Sequence, residues 1–352
     1  MYGHRLTFAA SLSTALTVAA CGPAESTTPP LDIAGLRAPT SCQMPFTAAV
    51  RSGPSAGTSF TGILSLDYAK GDGSLTGNLA TDSGASVPVT GTMSGTQIGL
   101  QLTTPSGVVS GTGTLPVAQQ PCAGELQGPL TGPMSGDAGD WVGGNGQVVV
   151  AQNGRIFSSD RTTHVIYYTA SPGGAQVILA GKLNTPGNVD AAGTAARFNG
   201  PYGLAFDDTN NRLYVADTAN QEVRQINPSN GNVTTLVRVA GAQTAAQAAG
   251  YSVAAFGPRG LALLAPGSLI VTDATNQVAW HYLNSTMYLR AGVPGSAGTV
   301  DGTGTAARLN TPDLASAVNA STTFFSPKVA QTVQLSDGKY RVIDASGQVK
   351  TL

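Results

Sequence analysis

The chain has 352 residues, room enough for two domains. Its 18 Lys and Arg against 19 Asp and Glu leave a net charge of −1, so neither a nucleic acid nor an anionic lipid surface is favoured as an electrostatic partner. Charged residues make up only 11% and glycine counts 45, a composition suited to many short strands joined by tight turns.

Residues 1–20 carry Arg5 in a short polar lead and then an apolar run from Leu6 to Ala20. The run ends Val18-Ala19-Ala20-Cys21, which resembles the lipobox of bacterial lipoproteins. That resemblance implies cleavage before Cys21, a diacylglyceryl group on its thiol, and a membrane partner reached through this lipid. The expected address is the cell envelope, and the outer membrane if the host is Gram-negative, because Gly22 rather than Asp follows the cysteine. Residues 21–41, with Pro29-Pro30 and small polar neighbours, read as a flexible tether.

From 42 to 130, apolar runs of strand length alternate with turn signals. Strands are predicted at Phe46–Arg51, Ser59–Tyr68, Ser74–Ala80, Ser86–Thr92, Gln97–Thr103, Val108–Leu115 and Gly124–Leu130. Leu64, Leu66 and Tyr68, and again Ile98, Leu100 and Leu102, alternate with polar residues, so one face is apolar. This is the pattern of a small antiparallel barrel or meander. Cys42 and Cys122 bracket it and, in an exported chain, read as a disulfide that closes it. Residues 131–140 (TGPMSGDAGD) read as the break before the second domain.

Beyond 141 the chain repeats. Taking the second strand of each unit as anchor, RIFSSD ends at Asp160, RLYVAD at Asp217, SLIVTD at Asp273 and TTFFSP at Pro327. The intervals are 217 − 160 = 57, 273 − 217 = 56 and 327 − 273 = 54, with four short strands per unit. Such a period marks a β-propeller, here of about four blades over 141–352, with ring closure left open. Residues 347–352 are left over as a closing strand.

The block from Ala180 to Ile226 (AGKLNTPGNVDAAGTAARFNGPYGLAFDDTNNRLYVADTANQEVRQI) resembles an NHL repeat. VDGTGTAARLNTP at 300–312 repeats VDAAGTAARFNGP at 189–201. The fold class expected is therefore all-β: a small disulfide-closed barrel followed by an NHL-like propeller.

Several motifs bear on chemistry. Asp217 and Asp273 end their strands three residues before Asn220 and Asn276, a spacing that lets the carboxylate accept N–H groups of the following turn. Asp190 and Arg197, like Asp301 and Arg308, stand seven apart and are expected to pin their loops as pairs. The G-x-G-x-x-A run at 302–307 lacks a βαβ setting and is not a dinucleotide site. His164 aligns with Gln221 and Gln277, whereas His281 falls four positions later, so the histidines do not make a common axial metal site.

The function expected is a lipid-anchored binding or scaffold protein without a cofactor. Its candidate surface is the loops 182–200, 242–257 and 293–311, with Asp190, Arg197, Asn199, Tyr251, Arg259, Asp301 and Arg308 as candidate contacts for a protein or glycan. The alternative implied by enzymatic propellers is a metal-dependent lyase or lactone hydrolase.

Overall fold

The computed structural model describes residues 41–68, 72–81, 83–115, 126–143, 146–171, 175–317, 331–335, 340–344 and 346–351. Cys21 and Cys122 lie outside the described residues, as do the stretch 318–330 and the tether.

The first eight strands are β1 (Ser41–Ser52), β2 (Ser59–Asp67), β3 (Ser74–Thr81), β4 (Ser86–Ser94), β5 (Gln97–Thr104), β6 (Gly107–Thr114), β7 (Leu126–Thr131) and β8 (Ala138–Gly143). They run antiparallel in sequence order and close into a barrel through β1 and β8. Alternation drives closure: Met44, Phe46, Ala48 and Val50 of β1 all face a core shared with Leu64, Leu66, Leu100, Leu102 and Trp141. The interior is packed solid. Trp141 stacks on Phe46 with centroids 5.8 Å apart and donates its indole N–H to the Thr112 carbonyl at 3.1 Å. The barrel extends beyond residue 130, and 131–140 is not a break between domains. It is the β7–β8 turn and the start of the closing strand, tied down by Asp137, which accepts from the Ser55 and Met134 amides at 2.7 and 3.0 Å.

Four sheets follow. Blade 1 holds β9 (Val148–Val150), β10 (Ile156–Asp160), β11 (Val165–Thr169) and β12 (Gln176–Ala180). Blade 2 holds β13 (Pro201–Asp207), β14 (Arg212–Asp217), β15 (Glu222–Asn227) and β16 (Asn232–Val237). A helix, α1 (Val239–Ala248), precedes blade 3, which comprises β17 (Pro258–Ala265), β18 (Ser268–Asp273), β19 (Val278–Leu283) and β20 (Thr286–Ala291). Blade 4 holds β21 (Gly302–Thr303), β22 (Pro312–Ala317), β23 (Gln331–Leu335), β24 (Tyr340–Ile343) and β25 (Gln348–Thr351). The first strands, β9, β13, β17 and β22, stand next to one another and form the inner wall.

Two expectations change here. The loop 242–257 begins as helix, because VAGAQTAAQA is rich in alanine and glutamine and buries Ala242, Ala245 and Ala246 between blades 2 and 3. In blade 4 the second strand is 331–335; the stretch TTFFSP lies outside the described residues. Register fixes the true column: Pro201 pairs with Asp217, Pro258 with Asp273 and Pro312 with Leu335. The last interval is therefore 335 − 273 = 62 rather than 54. The C-terminal strand β25 is the outer strand of its own blade.

Apolar residues between blades explain the stacking. Phe198 with Ala196, Phe256, and Leu309 with Ala307 are each fully buried just before an inner strand, wedged between one blade and the next. The glycine of Pro-x-Gly-Leu has a cause too: a Cβ on Gly203 would collide with the Arg259 carbonyl oxygen of the next blade.

Candidate functional site

The predicted loop residues are turned toward their own blades. Asp190 does not pair with Arg197. It accepts from the fully buried guanidinium of Arg224 on β15, and from the Thr235 amide at 3.0 Å. Asp301 is held likewise by Arg341 of β24 at 2.6 Å and by the Thr351 hydroxyl at 2.9 Å. Arg197 and Arg308 donate instead to carbonyls of the turn just before them: Thr194, Ala195 and Ala196 in one loop, Thr305 and Ala307 in the other. Burial pushes the Asp190 carboxyl up, but hydrogen bonds from Arg224 and Thr235 outweigh it and hold it below the usual carboxylate value.

Asn199 gives its amide to Asp217 at 2.8 Å. Tyr251 packs against the core between blades 2 and 3. Arg259 lies 4.5 Å over the Tyr202 ring and donates to Asp313 at 2.7 Å. Tyr202, Arg259 and Asp313 each follow the proline of an inner strand, so this contact links blades 2, 3 and 4 at one end of the inner wall. The structure thus places these seven residues on three separate loops and a strand start, and does not gather them into one site.

Asp217 and Asp273 are fully buried and saturated with donors. Asp217 takes Asn199 N, Asn220 Nδ2 at 2.8 Å and Arg224 Nη1 at 3.0 Å. Asp273 takes Gly257 N, Asn276 N, Asn276 Nδ2 and Trp280 Nε1, the last at 2.9 Å. Trp280 occupies the Arg224 position, since Val215 pairs with Arg224 and Val271 with Trp280. Burial pushes Asp217 up to about 6 despite these bonds, and pushes Asp273 up for the same reason.

His164, Gln221 and Gln277 share a left-handed turn position, φ 63°, 58° and 63°. Each accepts the amide of the next blade's lead-in: Gly200 to His164 Nδ1 at 3.1 Å, Phe256 to Gln221 at 3.1 Å, and Thr311 to Gln277. His281 lies elsewhere, with Nε2 2.8 Å from Ser268 Oγ; burial, and Arg290 nearby, push its pKa down. Among the described residues no group of three or more His, Cys, Asp or Glu stands together as metal ligands.

One cavity was not legible in the sequence. A cavity of about 810 Å³ lies between the outer face of barrel strands β1, β2 and β3 and the inner strands β9, β13 and β17. Its barrel wall is polar. Gln43 pairs with Ser65 and Ser65 with Asn78 in register, so three uncharged hydrogen-bonding side chains form one row, with Ser41 and Asp67 beside it. Its propeller wall is mixed: Gln147, Gln152 and Asp208 stand beside the part-exposed Val148, Val150, Phe206 and Leu263, while Leu204 and Leu261, which occupy the positions equivalent to Val148 in blades 2 and 3, are buried between blades. The signal available in sequence was the polar row on the barrel's outer face, which alternation alone assigns to solvent.

The repeat architecture can be set beside known proteins. The NHL repeat model matches residues 198–226. The chain carries an NHL repeat. NHL repeat-containing protein 2 of Bos taurus is 32% identical over 130 residues, covering 34% of this chain and 18% of that protein. Protein SUPPRESSOR OF QUENCHING 1, chloroplastic, of Arabidopsis thaliana is 38% identical over 84 residues, covering 24% of this chain and 8% of that one. The chain thus spans less than a fifth of the length of these relatives. Among solved structures, a chain of a nidogen/laminin complex overlaps 88% of this chain and 93% of its own, with 11% identity and a TM-score of 0.38. An auxiliary nutrient binding protein from Bacteroides ovatus overlaps 79% and 81%, with 11% identity and the same score.

The matched NHL segment 198–226 holds Phe198, Asn199, Asp217, Asn220, Gln221 and Arg224. These are the wedge, the buried carboxylate and the stitches described above, so the motif's polar residues are consumed by blade assembly. Further stitches were not legible: Ser159 donates to the Tyr202 carbonyl, Thr218 to that of Pro258 at 2.8 Å and Thr272 to that of Asp313 at 3.0 Å.

Proposed function

We propose that this is an envelope-anchored binding protein whose ligand enters the cavity between the barrel and the inner strands of the NHL propeller. The observation that carries the reading is the cavity's make-up. At about 810 Å³ it falls in the range that ligand sites occupy, and its lining mixes part-exposed apolar side chains with convergent polar groups such as Gln43, Ser65 and Asn78. The inter-blade loops carry less, because Asp190, Arg197, Asp301 and Arg308 are engaged within their own blades. The lipid on Cys21 would hold the protein at the membrane, and fatty-acid labelling that persists in Cys21→Ala would end that part of the proposal.

Equilibrium dialysis tests the binding site. The purified protein is dialysed against a low-molecular-weight extract of the host's growth medium, and retained compounds are identified by mass spectrometry. Wild type should concentrate a compound that Asn78→Trp, which fills the cavity from the barrel side, does not. No enrichment by wild type overturns the reading, and enrichment unchanged by Asn78→Trp moves the site elsewhere.

A further inference from the structure

Blades 2, 3 and 4 each carry a cover on the outer strand, and among the described residues blade 1 does not. In blade 2 the cover is the segment that leads into the blade: the Val233 amide donates to the Ala191 carbonyl at 2.9 Å and the Thr235 amide to Asp190 at 3.0 Å. In blade 4 β21 pairs antiparallel with β25, and in blade 3 α1 lies against β20. The corresponding lead-in of blade 1 is β8, which is engaged in closing the barrel through β1 and β7. By register Gln176 of β12 stands where Val233 does, and Ile178 where Thr235 does. The Gln176 and Ile178 amides therefore point outward along the edge, and among the described residues neither meets an acceptor there. Val177 between them is 53% exposed. The strand reads QVILA, without the charge or proline that guards an edge against pairing.

The neighbouring residues say what kind of cover fits. Tyr167 occupies the position of Arg224 and Arg341, so an aspartate-bearing loop like those of blades 2 and 4 would find no arginine lock. What fits is an uncharged extended strand with an apolar centre, and β12 is itself such a strand. We propose that blade 1 pairs edge to edge with blade 1 of a second copy of this chain, β12 antiparallel to β12 about a twofold axis at Val177. That register sets Val177 against Val177 and pairs Gln176 with Ile178 of the partner copy, so every outward amide receives a carbonyl. No charge meets a like charge, and the symmetry closes the assembly at two chains. β12 is the outer strand of the blade, whereas β9 lines the cavity, so this pairing does not depend on the cavity binding a ligand.

Light scattering after size exclusion of the purified full chain should give twice the monomer mass. Val177→Lys, which sets two ammonium groups face to face, should give the monomer. Ile178→Pro should do the same, because it removes an outward N–H and leaves the β11 ladder intact. An unchanged melting temperature checks that each variant is folded. Val177→Cys should crosslink to a dimer under mild oxidation, since residues of a non-hydrogen-bonded antiparallel pair lie about 4.5 Å apart at Cα, within disulfide reach. Thr234→Cys, at the equivalent position of the covered blade 2, should crosslink at least about tenfold more slowly, because no pairing holds two copies together there. A monomeric wild type would leave the edge to a strand of another protein and overturns the proposal. A dimer that survives both Val177→Lys and Ile178→Pro overturns it too, as does Val177→Cys crosslinking no faster than Thr234→Cys.

Discussion

Arg224 reaches Asp190, Asn188, the Arg197 carbonyl and Asp217 from a position with no solvent exposure. Removing it strands the buried Asp217 carboxylate and frees the loop that Asp190 anchors. Arg224→Ala should therefore cost about 3–5 kcal/mol in urea unfolding. Arg197→Ala, which only loosens turn carbonyls at the surface, should cost well under half of that. Asp217 sets a pH dependence whose sign follows from burial. Its folded value, pushed up to about 6, exceeds the unfolded one, so the native state takes up its proton first and this contribution to stability is lost as pH rises through about 4 to 6. Asp190, held low, acts below that window and in the opposite sense. The stability deficit of Asp217→Asn should thus be larger at pH 4 than at pH 6.5, by up to about 3 kcal/mol; a deficit constant with pH would contradict it. The alignment of His164 with Gln221 and Gln277 was legible in the sequence, and the structure supplies its meaning: one acceptor per blade for the next blade's amide. His164→Gln should stay within about 0.5 kcal/mol of wild type. Gln221→Val, which loses the acceptor and strains a left-handed position, should cost about 2 kcal/mol or more.

The repeated loop VDxxGTAAR explains why blades 2 and 4 look alike and blade 3 does not. In blade 2 Ala192 bridges to Asn232 of the outer strand, and in blade 4 β21 pairs with β25, so the loop covers an edge that would otherwise be unpaired. A buried arginine and an aspartate lock each crossing. Blade 3 is approached through α1, has no such loop, and carries Trp280 where the arginine would be. The pairing of loop and arginine was readable in principle, since Arg224 and Arg341 follow their loops at similar spacing. It was hidden because Leu335 replaces the aspartate that anchored the other units, which shifted the assumed strand to 322–326. The eight barrel strands were legible through β7 because apolar alternation is regular there; β8 was not, because AGDWVG holds only three apolar side chains among glycine and aspartate. Truncation after residue 347 tests the edge argument. It removes β25, leaves β21 unpaired and one edge of β24 open, and takes away the buried Val349. The truncated chain should assemble beyond the wild type, as measured by light scattering after size exclusion.

At the scale of the molecule, the barrel and the blades solve the edge problem differently, and the cavity exists because both are present. The barrel closes on itself by β1–β8 pairing and fills its own interior, so its outer polar row is free to face something else. The blades bury their faces against one another, but Val148, Val150, Phe206 and Leu263 on β9, β13 and β17 stay part-exposed; the barrel strands β1 to β3 stand across from them. Such a surface in water is a liability unless shielded or occupied. Deleting residues 41–143 should therefore leave blades that still show a strand-rich far-ultraviolet spectrum, since their inter-blade cores are intact. The same deletion should further expose Val148, Phe206 and Leu263, which are part-buried and line the cavity. Binding of the hydrophobic dye ANS should rise several-fold over the full chain, and any retained ligand should be released. The isolated barrel, with its core around Trp141 and Phe46 complete, should unfold cooperatively and bind no more dye than the full chain. Dye binding unchanged by the deletion would mean that the inner wall is already open to water in the full chain, and that the barrel contributes nothing to the cavity beyond proximity.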